Sequence, residues 1–302
     1  MGAAQGRGMG VRITMMTGAI LAAALLTQGA PLTAPGTEVR VLTVNVLDEK
    51  GEAVVGLERK DVALLENGVA RDITSFKPDR RPLSVALLVD TSANVGSDYR
   101  LNMVDAIVGF VSRLPLGARY AVWTTGDRPE KILDYTDDRQ AAKKALVMVA
   151  PRGGNYMLDA LAEASADLKD LAREGDRSAV VAVTTMGPEF SYRDRYRTVR
   201  EAEGDADLFL ALEIDEGDAD FETRTAVSYV FDHLSRDSGG AYETVLSPLA
   251  ADSGLRKLSP YLQAGYRIAY ATVSDLKKRK VEVTVARPGT QVLLPSATDT
   301  GP

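Results

Sequence analysis

The chain contains no cysteine and a single histidine, His233, among its 302 residues. Disulfide scaffolds, thiolate zinc sites and cysteine nucleophiles are thereby excluded, and any serine–histidine–aspartate chemistry would have to centre on His233. Aromatic residues are scarce at 6%, and 26 glycines with 13 prolines are too few for a low-complexity chain. Positive charge is not in excess: 36 Lys and Arg stand against 42 Asp and Glu, a net charge of -6, with no strongly basic stretch of domain size. Nucleic acid is therefore a poor candidate for the main partner. No Asn-x-Ser/Thr acceptor occurs either, so nothing points to a glycosylated surface protein. What remains, 45% hydrophobic and 26% charged residues, is the composition of a globular protein rather than a disordered chain or a coiled coil.

Residues 1–30 stand apart. Arg7 and Arg12 form a short basic start, Ile13 to Leu26 an apolar run, and small residues with Pro31 follow. That order is the layout of a secretory signal. The run is shorter than the roughly 20 residues a spanning helix needs. The expectation is a bacterial export, periplasmic or secreted, in which this segment is either cleaved or kept as an N-terminal anchor, the sole route to a membrane. Neither Gln28-Gly29-Ala30 nor Leu32-Thr33-Ala34 marks a clean cleavage point, and without cysteine the bacterial lipoprotein kind of attachment is excluded.

From residue 37 the pattern is first antiparallel. Val39 to Leu47 alternates apolar and polar residues, and Ala53–Leu57, Val62–Leu65 and Arg71–Phe76 read as further short strands. Asn67-Gly68 suits a two-residue hairpin, because both turn positions need positive φ. At Leu83–Val89 the rhythm changes to a near-continuous apolar run, as in a strand covered on both faces. Further strands are expected at 120–123, 131–133, 179–183 and 208–212. Helices are expected at 99–114, 139–149, 157–173 and 222–236. Strands alternating with helices imply an α/β fold, a doubly wound, mostly parallel, Rossmann-like sheet. A helical stretch at 247–262 and strands at 266–271, 281–286 and 291–294 close the chain, the strands joining the N-terminal ones. The expected organisation is a small β segment at 37–80, the α/β domain at 81–246, and a C-terminal helix and strands at 247–302 packed with 37–80.

Ligands bind such sheets at the carboxyl ends of the strands. There the first buried strand runs into Asp90-Thr91-Ser92-Ala93-Asn94. An apolar strand entering Asp-x-Ser-x-Ser resembles the von Willebrand factor type A domain, whose metal-ion-dependent adhesion site begins with that motif. The flanks are similar to bacterial exported proteins related to that family: Glu66-Asn67-Gly68 with Ile73, Ser75 and Phe76 before the domain, and Ser238-Gly239-Gly240, Tyr266–Tyr270 and Lys280–Gly289 after it. The resemblance covers residues 38 to 295. It implies a non-enzymatic module for adhesion or assembly that binds a protein ligand.

The resemblance also implies a metal site and shows where this chain departs from it. Asp90 and Ser92 keep their places. Asn94 replaces the second serine, Asn155 replaces the threonine of a Gly-Gly-Thr loop, and Thr185 stands where the family carries an acidic residue. Losing one of two carboxylates removes about half of the attractive charge. Two readings stay open: a decayed site with no cofactor, or a weak one for magnesium or manganese that uses the amide oxygens of Asn94 and Asn155.

Other features take plainer readings. His233 is expected to be a surface or packing residue without a metal partner. Gly6, Gly8 and Gly10 precede any strand and form no phosphate loop. The acidic segment 215–220 lacks the spacing of an EF-hand and reads as a solvated loop. Lys277-Lys278-Arg279-Lys280 reads as the polar tip of a hairpin. Trp123 and the tyrosines at 261, 266 and 270 suit core filling. A hydrolase built on Asp90 and a bound metal is the enzymatic alternative, but the sequence offers no general base near a nucleophile.

Overall fold

The computed structural model describes residues 37–173, 175–216, 221–273 and 279–296. The signal-like segment with its three glycines, residues 217–220 of the acidic loop, and Lys277-Lys278 lie outside the described residues. Among the described residues no helix is long and apolar enough to cross a membrane.

The chain enters through β1 (Thr37–Asp48), β2 (Val62–Glu66), β3 (Val69–Ala70) and β4 (Ile73–Pro78). The central sheet takes β5 (Leu83–Val89), β6 (Arg119–Thr124), β7 (Glu130–Thr136), β8 (Arg177–Thr185), β9 (Leu208–Ile214) and β10 (Ala241–Val245). Helices α1 (Val104–Ser112), α2 (Ala141–Leu146), α3 (Met157–Arg173), α4 (Arg195–Ala202), α5 (Phe221–Ser238) and α6 (Ala251–Leu258) surround it, with α1 entered through a π-helical turn at Tyr99–Met103. Strands β11 (Gly265–Val273), β12 (Val281–Val285) and β13 (Thr290–Leu293) end the described chain.

The central sheet has the order β10-β9-β8-β5-β6-β7, all parallel except the edge strand β7. β5 is buried throughout because it sits mid-sheet with helices on both faces. Its Val85, Leu87 and Val89 pack with residues of α1, α2 and α6, while Ala86 and Leu88 pack with α3, α4 and α5. That two-sided burial is why the sequence shows an apolar run instead of alternation. Strand order reverses between β5 and β8, and the crevice at their carboxyl ends is the natural place for a site.

The terminal strands pair as the sequence suggests, but in two sheets. β13-β1-β11-β4 form one and β12-β2-β3 the other. The segment Ala53–Leu57 is not a strand; only Ala53 bridges to Leu47, and Gly56, at φ +73°, turns the chain. Val54 and Leu57 still reach the core, which is the source of its strand-like pattern. The stretch near α6 packs on the α/β layer, with Leu255 and Leu258 in the same cluster as β5. Helix α4 has no apolar period to reveal it, burying only Thr198, Val199 and Ala202; Asp194 caps it, accepting from the Tyr196 and Arg197 backbone N–H groups at 2.9 Å each.

Arg279 corrects the reading of the basic tip. β11 and β12 belong to different sheets, so these two strands are not the arms of one hairpin. Arg279 turns inward, 2% exposed, and its guanidinium lies 3.2 Å from the buried carboxylate of Glu66 on β2. Tyr270 and Thr272 of β11 donate their hydroxyls to the same carboxylate, and Arg71 approaches at 2.9 Å. A buried charge needs partners of this kind. Trp123, Tyr266 and Tyr270 are buried and Tyr261 partly so, as core residues.

Asn67 and Gly68 adopt φ of 51° and 78°, the pair of positive values a type I′ hairpin requires. Gly68→Ala is expected to cost about 1 kcal/mol in urea unfolding, since alanine avoids that conformation.

Candidate functional site

Asp90 follows the last residue of β5 and is completely buried. Its backbone N–H donates to Val183 on β8 at 2.9 Å, so the sheet itself fixes the carboxylate at the strand-order reversal. One oxygen, Oδ1, accepts the backbone N–H of Ser92 at 2.9 Å, closing an Asx turn. The other, Oδ2, faces the end of β8. It accepts the backbone N–H of Thr185 at 3.0 Å and the Thr185 hydroxyl at 2.8 Å. Thr184 Oγ1 lies at 3.1 Å and Asn155 Nδ2 at 3.3 Å from the same oxygen. The negative charge is thus answered by protein donors on one side.

The two asparagines are oriented by this network. Asn155 is buried and gives its amide nitrogen to Asp90 and, at 2.9 Å, to Thr184 Oγ1, while its Oδ1 accepts from Thr125 Oγ1 at 2.6 Å. A flipped amide would set oxygen against carboxylate, so the assignment follows from electrostatics. Asn94 is exposed, and its nitrogen donates to Thr185 Oγ1 at 3.1 Å. Gly187 permits this approach: a Cβ there would stand 2.6 Å from the Asn94 amide carbon. All five residues singled out by sequence, Asp90, Ser92, Asn94, Asn155 and Thr185, therefore meet in one place.

Three participants escape the motif. Thr184 and Thr125 complete the hydrogen bonds just described. Glu189, four residues beyond Thr185, pairs through its backbone with Asn155 in a parallel bridge. Its carboxyl is pushed up to about 7, chiefly by burial, with the negative charge of Asp90 adding to the shift. Oε1 accepts the Ser191 backbone N–H at 3.0 Å, whereas Oε2 is buried without a hydrogen-bond partner. Ser92 Oγ is likewise buried and unpartnered. No spacing in the sequence announces Glu189; only the folded chain brings it to the site.

Aromatic rings flank this crevice. Tyr156, next to Asn155, lies 6.4 Å from the Phe190 ring and 6.2 Å from the Tyr192 ring. Phe190 is 54% and Tyr192 88% exposed.

Residues 85–187 match the family model of the von Willebrand factor type A domain. No curated protein sequence matches the chain. Among solved structures, the chain is similar to a von Willebrand factor type A protein from Catenulispora acidiphila, at 13% identity and TM-score 0.52, over 85% of this chain and 71% of that one. It is also similar to proximal thread matrix protein 1 from the mussel byssus, described with a zinc-occupied MIDAS motif, at 18% identity and TM-score 0.51. That match covers 66% of this chain and spans about half the length, 50%, of the mussel protein. Type A domains typically mediate protein interaction or adhesion and are generally non-enzymatic. Strand order, family model and fold likeness agree: the central sheet of this chain has the von Willebrand factor type A fold, with the Asp90 loop at its strand-order reversal.

Proposed function

We propose that the chain is an exported, non-enzymatic module that binds a protein partner through the carboxyl-end face of its central sheet, without a metal bridge. The observation that carries this reading is the exposed aromatic group of Phe190 and Tyr192 beside Tyr156, at the edge of the Asp90 crevice. Exposed aromatics on a rigid scaffold supply binding energy at small entropic cost and are enriched among interface hot spots.

Metal independence follows from where the amides point. The nitrogen of Asn155, not its oxygen, is turned to Asp90, and the nitrogen of Asn94 is engaged by Thr185 Oγ1. Four protein donors surround Asp90 Oδ2, which supports a crevice closed by hydrogen bonds. Nucleophilic catalysis finds no support either, because Ser92 Oγ has no base to activate it. The test is a cross-linked partner from the envelope of the host, followed by calorimetry. Affinity is expected to be equal in EDTA and in magnesium, and Tyr192→Ala is expected to weaken it about tenfold or more. Loss of binding in EDTA would overturn the reading.

A second reading rests on the two orphaned atoms. Ser92 Oγ and Glu189 Oε2, with Asp90 Oδ1, would give magnesium or manganese three oxygens, two of them from carboxylates. In that case a metal-stripped chain would show saturable heat with either ion, lost in Glu189→Gln.

A further inference from the structure

At the opposite, amino-terminal end of the sheet's strands, Glu203, His233 and Asp237 come together. Glu203 ends α4 just before the amino end of β9, and His233 and Asp237 lie near the end of α5 just before β10. β9 has seven residues, so this cluster and the Asp90 crevice are separated by about 20 Å of strand. We propose that Glu203, His233 and Asp237 form a second, independent site for a divalent transition-metal ion of the zinc class.

The helix supplies two ligands by its period: positions i and i+4 share one face. His233 Nε2 lies 2.8 Å from Asp237 Oδ2. The third ligand arrives from another element, and one ligand atom from each residue falls within 4.8 Å of the other two. Zinc bonds of about 2.0–2.1 Å place tetrahedral ligands about 3.3 Å apart. Closure therefore asks Glu203 to move by about an ångström or so, and its side chain is exposed on a turn.

The surroundings hold the other two in place. The ring of Tyr229 stacks on His233 with centroids 5.9 Å apart and planes 21° apart. Ser296 donates its hydroxyl to Asp237 Oδ1, leaving Oδ2 for the ion, the kind of outer support that metal-binding carboxylates use. Neighbouring charges are already matched: Asp205 by Lys169 at 2.7 Å, Asp207 by Arg81 at 3.1 Å, and Arg236 by Asp232. Two carboxylates and a neutral imidazole leave two negative charges for a dication. Glu203 and Asp237 also border a cavity of about 290 Å³, with room for a water or a small acidic group in the fourth position. An imidazole in the set favours zinc, cobalt or nickel over magnesium and calcium.

The experiment uses the untagged full chain, stripped of metal, titrated with zinc by calorimetry and with cobalt by absorption. One zinc per chain with a tetrahedral cobalt spectrum is expected. His233→Ala should abolish binding, Glu203→Gln should weaken it at least tenfold, and Asp90→Asn should leave it unchanged. Magnesium in excess should not compete. Urea unfolding of each variant separates lost binding from lost fold, and Glu203, being exposed, gives a variant whose fold is not at stake. Absence of saturable uptake at millimolar zinc would overturn the proposal, reducing the cluster to a His233–Asp237 ion pair. Uptake that survives both His233→Ala and Glu203→Gln but fails in Asp90→Asn would overturn it too, assigning the metal to the carboxyl end of the sheet.

Discussion

Asp90→Ala is expected to lower the unfolding free energy by about 3–5 kcal/mol, equally in EDTA and in magnesium. The size follows from what the carboxylate holds. Its Oδ2 takes the Thr185 N–H, the Thr185 hydroxyl, and contacts from Thr184 Oγ1 and Asn155 Nδ2, all on buried residues. Each buried donor left without a partner costs about 1–3 kcal/mol. The hydroxyls can rotate toward other acceptors, but the Thr185 N–H and the Asn155 amide are fixed by strand and network. The alanine also frees the Ser92 N–H, which Oδ1 binds at 2.9 Å. Asp90→Asn keeps the shape but puts an amide nitrogen among donors, and is expected to cost about 2 kcal/mol. Urea unfolding with and without chelator reads both terms. A wild-type chain that loses stability on chelation would show that a cation, rather than protein donors, compensates Asp90.

Much of this was legible in the sequence, for identifiable reasons. Leu83–Val89 announces itself because a strand covered on both faces must be apolar at every position, and its end places Asp90 without further information. Asp90, Ser92 and Asn94 followed from the Asp-x-Ser loop, and Asn155 and Thr185 from the places that the type A resemblance implies for the remaining ligands. What the sequence hid was orientation. Asn94 and Asn155 each carry one acceptor and two donors, and which end enters the network around Asp90 depends on Thr125, Thr184 and Thr185 arriving from other parts of the chain. Arg279 was hidden for a related reason. Within Lys-Lys-Arg-Lys it reads as solvated, and only the pairing of β12 with β2 instead of β11 brings Glu66 to meet it. Tertiary partners likewise change His233 from a lone residue into one of three potential ligands.

Glu189 gives the second large effect, one that depends on pH. Burial pushes its carboxyl from 4.5 up to about 7, with Asp90 opposing ionisation as well. The folded chain then holds this proton more tightly than the unfolded chain. Its contribution to stability is complete below pH 4.5, is lost as pH rises toward 7, and stays lost above that. A shift of that size corresponds to about 3 kcal/mol. Glu189→Gln keeps the shape and removes the titration. The variant is expected to gain on wild type by about 3 kcal/mol between pH 4.5 and pH 8 in urea unfolding. A variant-to-wild-type difference that does not move with pH would show that Glu189 is ionised throughout that range, its charge met by a donor or cation despite Asp90. Manganese adds a further arm at pH 8. If it stabilises wild type and leaves Glu189→Gln unchanged, the ionised carboxylate is a ligand, and the metal-bridged reading of the crevice replaces the metal-free one. If it changes neither, the proton that Glu189 binds at lower pH is what the buried carboxyl requires, and the Asp90 crevice works by hydrogen bonds alone.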